Sequence, residues 1–198
     1  MRGSSGRPLP ASAATAVKIV IAGGVGAGKT TFVTATSEIE PARTEELMTQ
    51  AGIGTDVGPA MADGKSTTTV VFDFGRLTLD DELVLYMFGA PGQERFWYLW
   101  DHLFRGTLGA VVLVDVRHLD ASFASLDRLD ARGVPYIVAV NRFDGAQHYP
   151  LEQIRAALQL PHTVPLMECD ARDPQSGYAV LVRLVTHVVT MHALESTA

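Results

Sequence analysis

Cysteine is almost missing from this chain. Its 198 residues include one, Cys169, which excludes an internal disulfide framework and a cysteine-rich zinc site, and makes a reducing compartment, the cytoplasm, the expected location. Lysine is nearly as scarce: Lys18, Lys29 and Lys65 stand against 13 arginines, so an arginine where other proteins use lysine can reflect composition alone. Charged residues make up 19% of the chain, and 16 basic against 22 acidic side chains give a net charge of -6. That balance offers no footprint for a nucleic-acid backbone. No apolar run approaches the roughly 18 to 20 residues that cross a bilayer, and no apolar leader core is present. The final Glu195-Ser196-Thr197-Ala198 holds no cysteine for prenylation, so any visit to a membrane is expected to depend on partners.

What is present is a core: 47% of the residues are hydrophobic, enough for one compact domain. Residues 1–14, rich in Gly, Ser, Pro and Ala, bury too little to order themselves and read as a flexible tail, leaving 15–198 as the domain. Apolar runs at 17–22, 70–74, 83–88, 110–116, 136–140 and 164–167 suit buried parallel strands. Helical segments at 30–38, 94–104, 121–132, 151–158 and 178–194 lie between and after them. The connection 75–82 is too short for a crossover helix, so its two strands should be antiparallel. The expectation is an α/β doubly wound, mostly parallel six-stranded sheet with one antiparallel strand and helices on both faces. The polar stretch 39–69 reads as a switch-like loop.

Gly23-Gly24-Val25-Gly26-Ala27-Gly28-Lys29-Thr30 is a full GxxxxGK[ST] match, directly after the first strand and before a helix, which makes the fold that of a P-loop NTPase. Small residues let successive backbone N–H groups wrap phosphate oxygens while the helix N-terminus adds positive potential. Gly23, Val25, Gly26, Ala27, Gly28, Lys29, Thr30 and Thr31 are therefore the candidate nucleotide-holding positions, with Lys29 on the terminal phosphates and the Thr30 hydroxyl on Mg²⁺.

Asn141-Arg142-Phe143-Asp144, after the fifth strand, resembles the Asn-Lys-x-Asp base motif of the small Ras-like GTPases, and Pro91-Gly92-Gln93-Glu94-Arg95-Phe96 resembles their second switch. The resemblance spans about residues 17–194. It implies that Asp144 accepts hydrogen bonds from guanine, braced by Asn141, and that Ala171 in Glu168-Cys169-Asp170-Ala171-Arg172 meets the guanine oxygen in a base loop that includes Arg172. It also implies that Gly92 donates to the γ-phosphate and that Gln93 orients the attacking water. Taken without the resemblance, the Asn-Arg-Phe-Asp segment is equally an ordinary strand-end turn.

Two departures refine the match. The aspartate that precedes the switch glycine in Ras-like proteins is here Gly89, and the nearest replacement carboxylate is Asp73 in Phe72-Asp73-Phe74. That pairing is similar to the bacterial branch of the family, the gliding-motility and polarity GTPases and the conservon GTPases of actinobacteria. It implies a switch threonine on Mg²⁺ at Thr69, with Ser66, Thr67 and Thr68 as open alternatives. Val25 replaces a glycine and crowds the place of Gln93 and of any inserted arginine, so slow hydrolysis is expected. The reading is a switch that binds GTP and GDP with Mg²⁺ and hydrolyses GTP. Its implied partners are regulators of roadblock fold and effectors that meet the switch regions. The rivals are a nucleotide-dependent binding module and an ATP-using P-loop protein. Trp97 and Trp100 flank the second switch, as core packing or as partner surface.

Overall fold

The computed structural model describes residues 15–40, 42–43, 72–79, 83–92 and 100–195. The expected tail at 1–14, most of the 39–69 loop, Thr69 and Gln93 lie outside them.

Seven strands form one sheet in the order β2-β3-β4-β1-β5-β6-β7. They are β1 (Thr15–Gly23), β2 (Ala42–Arg43), β3 (Asp73–Thr78), β4 (Leu83–Gly89), β5 (Thr107–Val114), β6 (Tyr136–Asn141) and β7 (Leu166–Cys169). Strands β4, β1, β5, β6 and β7 run parallel, and β3 runs antiparallel to β4. The six strands expected from the sequence are the body of this sheet; the two-residue β2, antiparallel to β3, adds a short edge. The helices are α1 (Lys29–Thr36), α2 (Trp100–Phe104), α3 (Asp120–Arg132), α4 (Leu151–Ala157) and α5 (Pro174–Glu195).

Alternation along β1 shows how the two faces form. Val20 and Ala22 join one core cluster with α2, α3 and α4, through Trp100, Leu126, Leu129 and Ile154. Ile19 and Ile21 point the other way into a cluster with Phe32 and Val33 of α1 and Val180, Leu181 and Leu184 of α5. A central strand buried on both faces has no polar side to show, so it reads as an uninterrupted apolar run.

Several boundaries correct the sequence expectation. Residues 70–71 of the strand expected at 70–74 lie outside the described residues; the described strand is Asp73–Thr78, so half of the supposed connector is strand. The hairpin closes with Leu79 N–H donating to Leu83 O at 2.9 Å. Gly75 and Arg76 carry little strand propensity, but a Cβ on Gly75 would lie 2.9 Å from Val33 Cγ1, so the glycine is what lets α1 pack on this strand. Glu38 then pins the strand, accepting from Arg76 Nε at 2.7 Å and from the Thr78 hydroxyl at 2.8 Å. Of the helix expected at 94–104, the described part is Trp100–Phe104. The last strand starts two residues late because Pro165, lacking an N–H, precedes it and only accepts, from Val138 N–H at 2.9 Å. The last helix begins four residues early, at Pro174, where the Asp173 carboxylate accepts from the N–H groups of Gln175 and Ser176 at 3.0 and 3.2 Å, an N-cap followed by proline.

That helix is long and apolar enough to cross a bilayer, contrary to the expectation that no segment is. Its inner face, including Val180, Leu181, Leu184 and Val188, is core.

At the α1–α5 crossing a Cβ on Gly177 would lie 2.2 Å from Thr36 Cγ2. Gly177→Ala is therefore expected to lower unfolding free energy by about 1–3 kcal/mol, measured as a lower urea midpoint; an unchanged midpoint would show that the helices separate without cost.

Candidate functional site

Because five strands run parallel, their C-terminal ends lie at one edge of the sheet, and the loops that leave β1, β4, β6 and β7 meet there. In open α/β sheets this edge is where ligands bind. Strand β3, running the opposite way, begins at the same edge and places Asp73 there.

The loop after β1 is a turn of glycines. Gly23, Gly26 and Gly28 have φ of 135°, 77° and 101°, a region side chains disfavour. A Cβ on Gly28 would also lie 2.4 Å from Asn141 Nδ2. Lys29 folds over this turn, its Nζ donating to Gly23 O at 2.9 Å and Gly24 O at 2.6 Å. Burial lowers the Lys29 pKa to about 8, against the opposing pull of Asp73. Gly92, after β4, presses on the same turn: a Cβ there would lie 2.9 Å from Val25 N and 3.0 Å from Lys29 Nζ. Val25 stands 63% exposed at the tip.

Thr30, exposed in the first turn of α1, donates its hydroxyl to Asp73 Oδ2 at 2.6 Å. Two of the three residues expected around Mg²⁺, Thr30 and Asp73, are thus in contact across 43 residues of sequence. Gly89 stands opposite Asp73 on the neighbouring strand, and a Cβ on Gly89 would lie 3.1 Å from both Asp73 Cβ and Oδ2. Missing side chain and replacement carboxylate are two halves of one arrangement: the glycine makes the space that Asp73 fills. Among the described residues no group of three or more His, Cys, Asp and Glu could hold a metal. A hydroxyl and one carboxylate fit Mg²⁺ only when phosphate oxygens complete the shell.

Asn141, 4% exposed, joins the phosphate turn to the base loop. Its Nδ2 donates to Ala27 O at 3.0 Å and its Oδ1 accepts from Ala171 N–H at 2.9 Å. Beyond it opens a cavity of about 430 Å³ lined by Phe143, Asp144, Tyr149, Asp170 and Arg172 among others. Arg142, in the place of the family lysine, pairs with Glu168, which also meets His148 Nε2 at 2.6 Å; these two partners hold the Glu168 carboxyl below its usual pKa. Asp144 meets Arg172, whose Nη1 donates to Asp144 Oδ2 at 2.8 Å. The rest of that guanidinium, through Nε and Nη2, grips Asp170 at 2.9 Å on each oxygen and pulls its pKa to about 2. Thr31 is exposed beside Thr30.

A support that sequence reading missed lies behind Phe143. Asp115, buried at 5% exposure, accepts from Arg117 Nη2 at 2.7 Å and Nε at 2.9 Å, and the Arg117 guanidinium sits 3.9 Å from the Phe143 ring centre. Burial pushes the Asp115 pKa up, but the Arg117 contacts outweigh it and hold the carboxyl low. Asp115 also caps its turn, accepting from Arg117 N–H at 2.9 Å; the sequence signal for the pair was the Asp-x-Arg spacing. A larger cleft, about 560 Å³, opens at the far end of the strands beside Tyr136, His187 and Met191, away from all of these loops.

The buried ammonium of Lys29 makes ligand affinity pH-dependent. Phosphate oxygens would raise its pKa again, so a phosphate ligand takes up a proton when the free protein holds neutral lysine. Affinity should be flat below pH 8 and fall above it, by up to tenfold per pH unit. Calorimetric Kd values at pH 7 and 9.5 measure this, and equal values would contradict it.

The model of the family described as "Conserved hypothetical ATP binding protein" matches residues 21–191. An uncharacterized protein of Methanocaldococcus jannaschii is 29% identical over 132 residues, covering 65% of this chain and 71% of that protein. Among solved structures, the G domain of the FeoB iron transporter of T. maritima superposes with a TM-score of 0.58 at 16% identity, covering 89% of this chain and 98% of that one; this likeness establishes a P-loop, G-domain type of fold. With a nucleotide-type phosphate turn at the expected sheet edge and a family match over most of its length, the chain is a nucleotide-binding P-loop protein and belongs to the family of conserved hypothetical ATP binding proteins.

Proposed function

We propose that this protein is a guanine-nucleotide switch of the bacterial Ras-like kind, which binds GTP and GDP with Mg²⁺ and hydrolyses GTP slowly. The observation that carries the reading is the Asn141 bridge, which ties the phosphate turn at Ala27 to the base loop at Ala171, next to a cavity of about 430 Å³ that Asp144 lines. Guanine presents N1–H and an exocyclic amine, a pair of donors suited to one carboxylate, and adenine does not. The Asp144 carboxylate accepts from the Arg172 guanidinium, and the guanine edge, chemically a guanidine, offers donors of the same type. A pocket built around such a carboxylate discriminates strongly, because the wrong base leaves it unpaired.

In this reading the N–H groups of 24–30 and the Lys29 ammonium hold the β,γ-phosphates, while the Gly92 N–H and the Gln93 side chain serve the γ-phosphate and the attacking water. Thr30 and Asp73 would hold Mg²⁺, Thr30 directly and Asp73 through water, with Thr69 as the switch ligand. The metal, when bound, would supply neutralisation of phosphate charge. Regulators of roadblock fold, effectors on the switch segments and a cytoplasmic setting belong to the same proposal.

ATP is the second reading, favoured by the description of the matching family. Competition titration of nucleotide-free protein separates the two. GTP and GDP are expected to bind at least about a hundredfold more tightly than ATP, and Asp144→Asn to lose most of that preference while keeping its fold. Equal affinities for GTP and ATP would assign the protein to ATP. Turnover without a partner is expected near or below about 10⁻² s⁻¹; a rate above about 1 s⁻¹ would contradict the role given to Val25.

A further inference from the structure

Trp100 opens α2 and is 1% exposed, packed against Phe104 at 5.1 Å between ring centres and lying under the Arg128 guanidinium at 5.8 Å. Its indole Nε1–H donates to the carbonyl of Pro91 at 3.2 Å. A buried indole N–H needs an acceptor, and the carbonyl it takes is a consequential one. Pro91 C=O and Gly92 N–H belong to the same peptide unit, which is planar and trans. The two groups of a trans peptide point in opposite directions, so holding the carbonyl fixes the direction of the Gly92 N–H. Gly92 itself lies against the phosphate turn, close enough that a Cβ would be 2.9 Å from Val25 N and 3.0 Å from Lys29 Nζ.

We infer that Trp100 is a positioning residue for the γ-phosphate. Its indole N–H holds the Pro91–Gly92 peptide plane so that the Gly92 N–H faces the place of the terminal phosphate, and through that plane the packing of α2 on α3 is coupled to the presence of a third phosphate. The inference rests on the reading of Gly92 as the γ-phosphate donor, but it does not depend on which base is bound. A diphosphate does not reach Gly92, so its affinity should be indifferent to Trp100.

The test is Trp100→Phe, which keeps an aromatic ring in the core while removing the donor together with the smaller ring that carries it; the lost volume should weaken both nucleotides alike, and the lost donor only the triphosphate. The ratio of diphosphate to triphosphate-analogue dissociation constants is measured with Mg²⁺, for guanine and adenine nucleotides. In W100F the triphosphate analogue is expected to weaken about two- to tenfold relative to the diphosphate, the worth of one hydrogen bond. An unchanged ratio, or equal weakening of both nucleotides, overturns the inference and leaves the nucleotide reading intact. Failure of the wild-type protein to bind any nucleotide overturns both. Should W100F fold poorly, amide-style hydrogen exchange at the Trp100 indole N–H of the wild-type protein gives the same answer. Exchange should be slower with the triphosphate analogue than with the diphosphate, and equal rates would overturn the inference.

Discussion

The carboxamide of Asn141 is the joint on which the site depends. It is buried, it spends a donor on the Ala27 carbonyl and an acceptor on the Ala171 N–H, and it excludes a side chain at position 28. Neither backbone group has a strand or helix partner of its own at these loop positions, so without the carboxamide two polar groups would be left unpaired in a closed environment. One side chain thereby sets the distance between the turn that would hold phosphates and the loop that would hold a base. Everything around it is arranged to keep that distance: three glycines in left-handed or extended-positive conformations before α1, the Asp115–Arg117–Phe143 stack behind the base loop, and the parallel sheet that brings four loops to one edge.

A second arrangement concerns charge. Asp73 and Gly89 face each other on adjacent antiparallel strands, and only one of the two positions has room for a carboxylate. Because β3 runs against its neighbour, its first residue reaches the edge that β4 reaches with its last. Asp73 therefore reaches the site from β3 and accepts the Thr30 hydroxyl there. Lys29 brings a buried cation to this corner, and burial lowers its pKa against the pull of Asp73.

Much of this was legible in the sequence because the signals are local. The glycine-lysine-threonine turn follows its strand and opens its helix within eight residues, and central strands buried on both faces announce themselves as apolar runs. The pairing of Thr30 with Asp73 was also within reach once Gly89 stood out. What could not be read depends on contacts distant in sequence. Strand β3 runs on to Thr78 although Gly75 and Arg76 look like connector, because α1 packs on one and Glu38 pins the other. The Arg172 contact with Asp144 requires knowing that the loops after β6 and β7 are neighbours. Trp100 reads as core or as surface until its indole nitrogen is seen on Pro91. Asp173-Pro174, by contrast, was a readable helix start that marked the true beginning of α5.

The central claim is that Asp144 reads a guanine base across the Asn141 joint, and a structure of the protein loaded with Mg²⁺ and a slowly hydrolysed GTP analogue tests it most directly. The account expects the base in the cavity beside Phe143, with the Asp144 carboxylate accepting from N1–H and the exocyclic amine and Arg172 held by Asp170 alone or shared. A base lying outside that cavity, with Asp144 still paired only to Arg172, would contradict it.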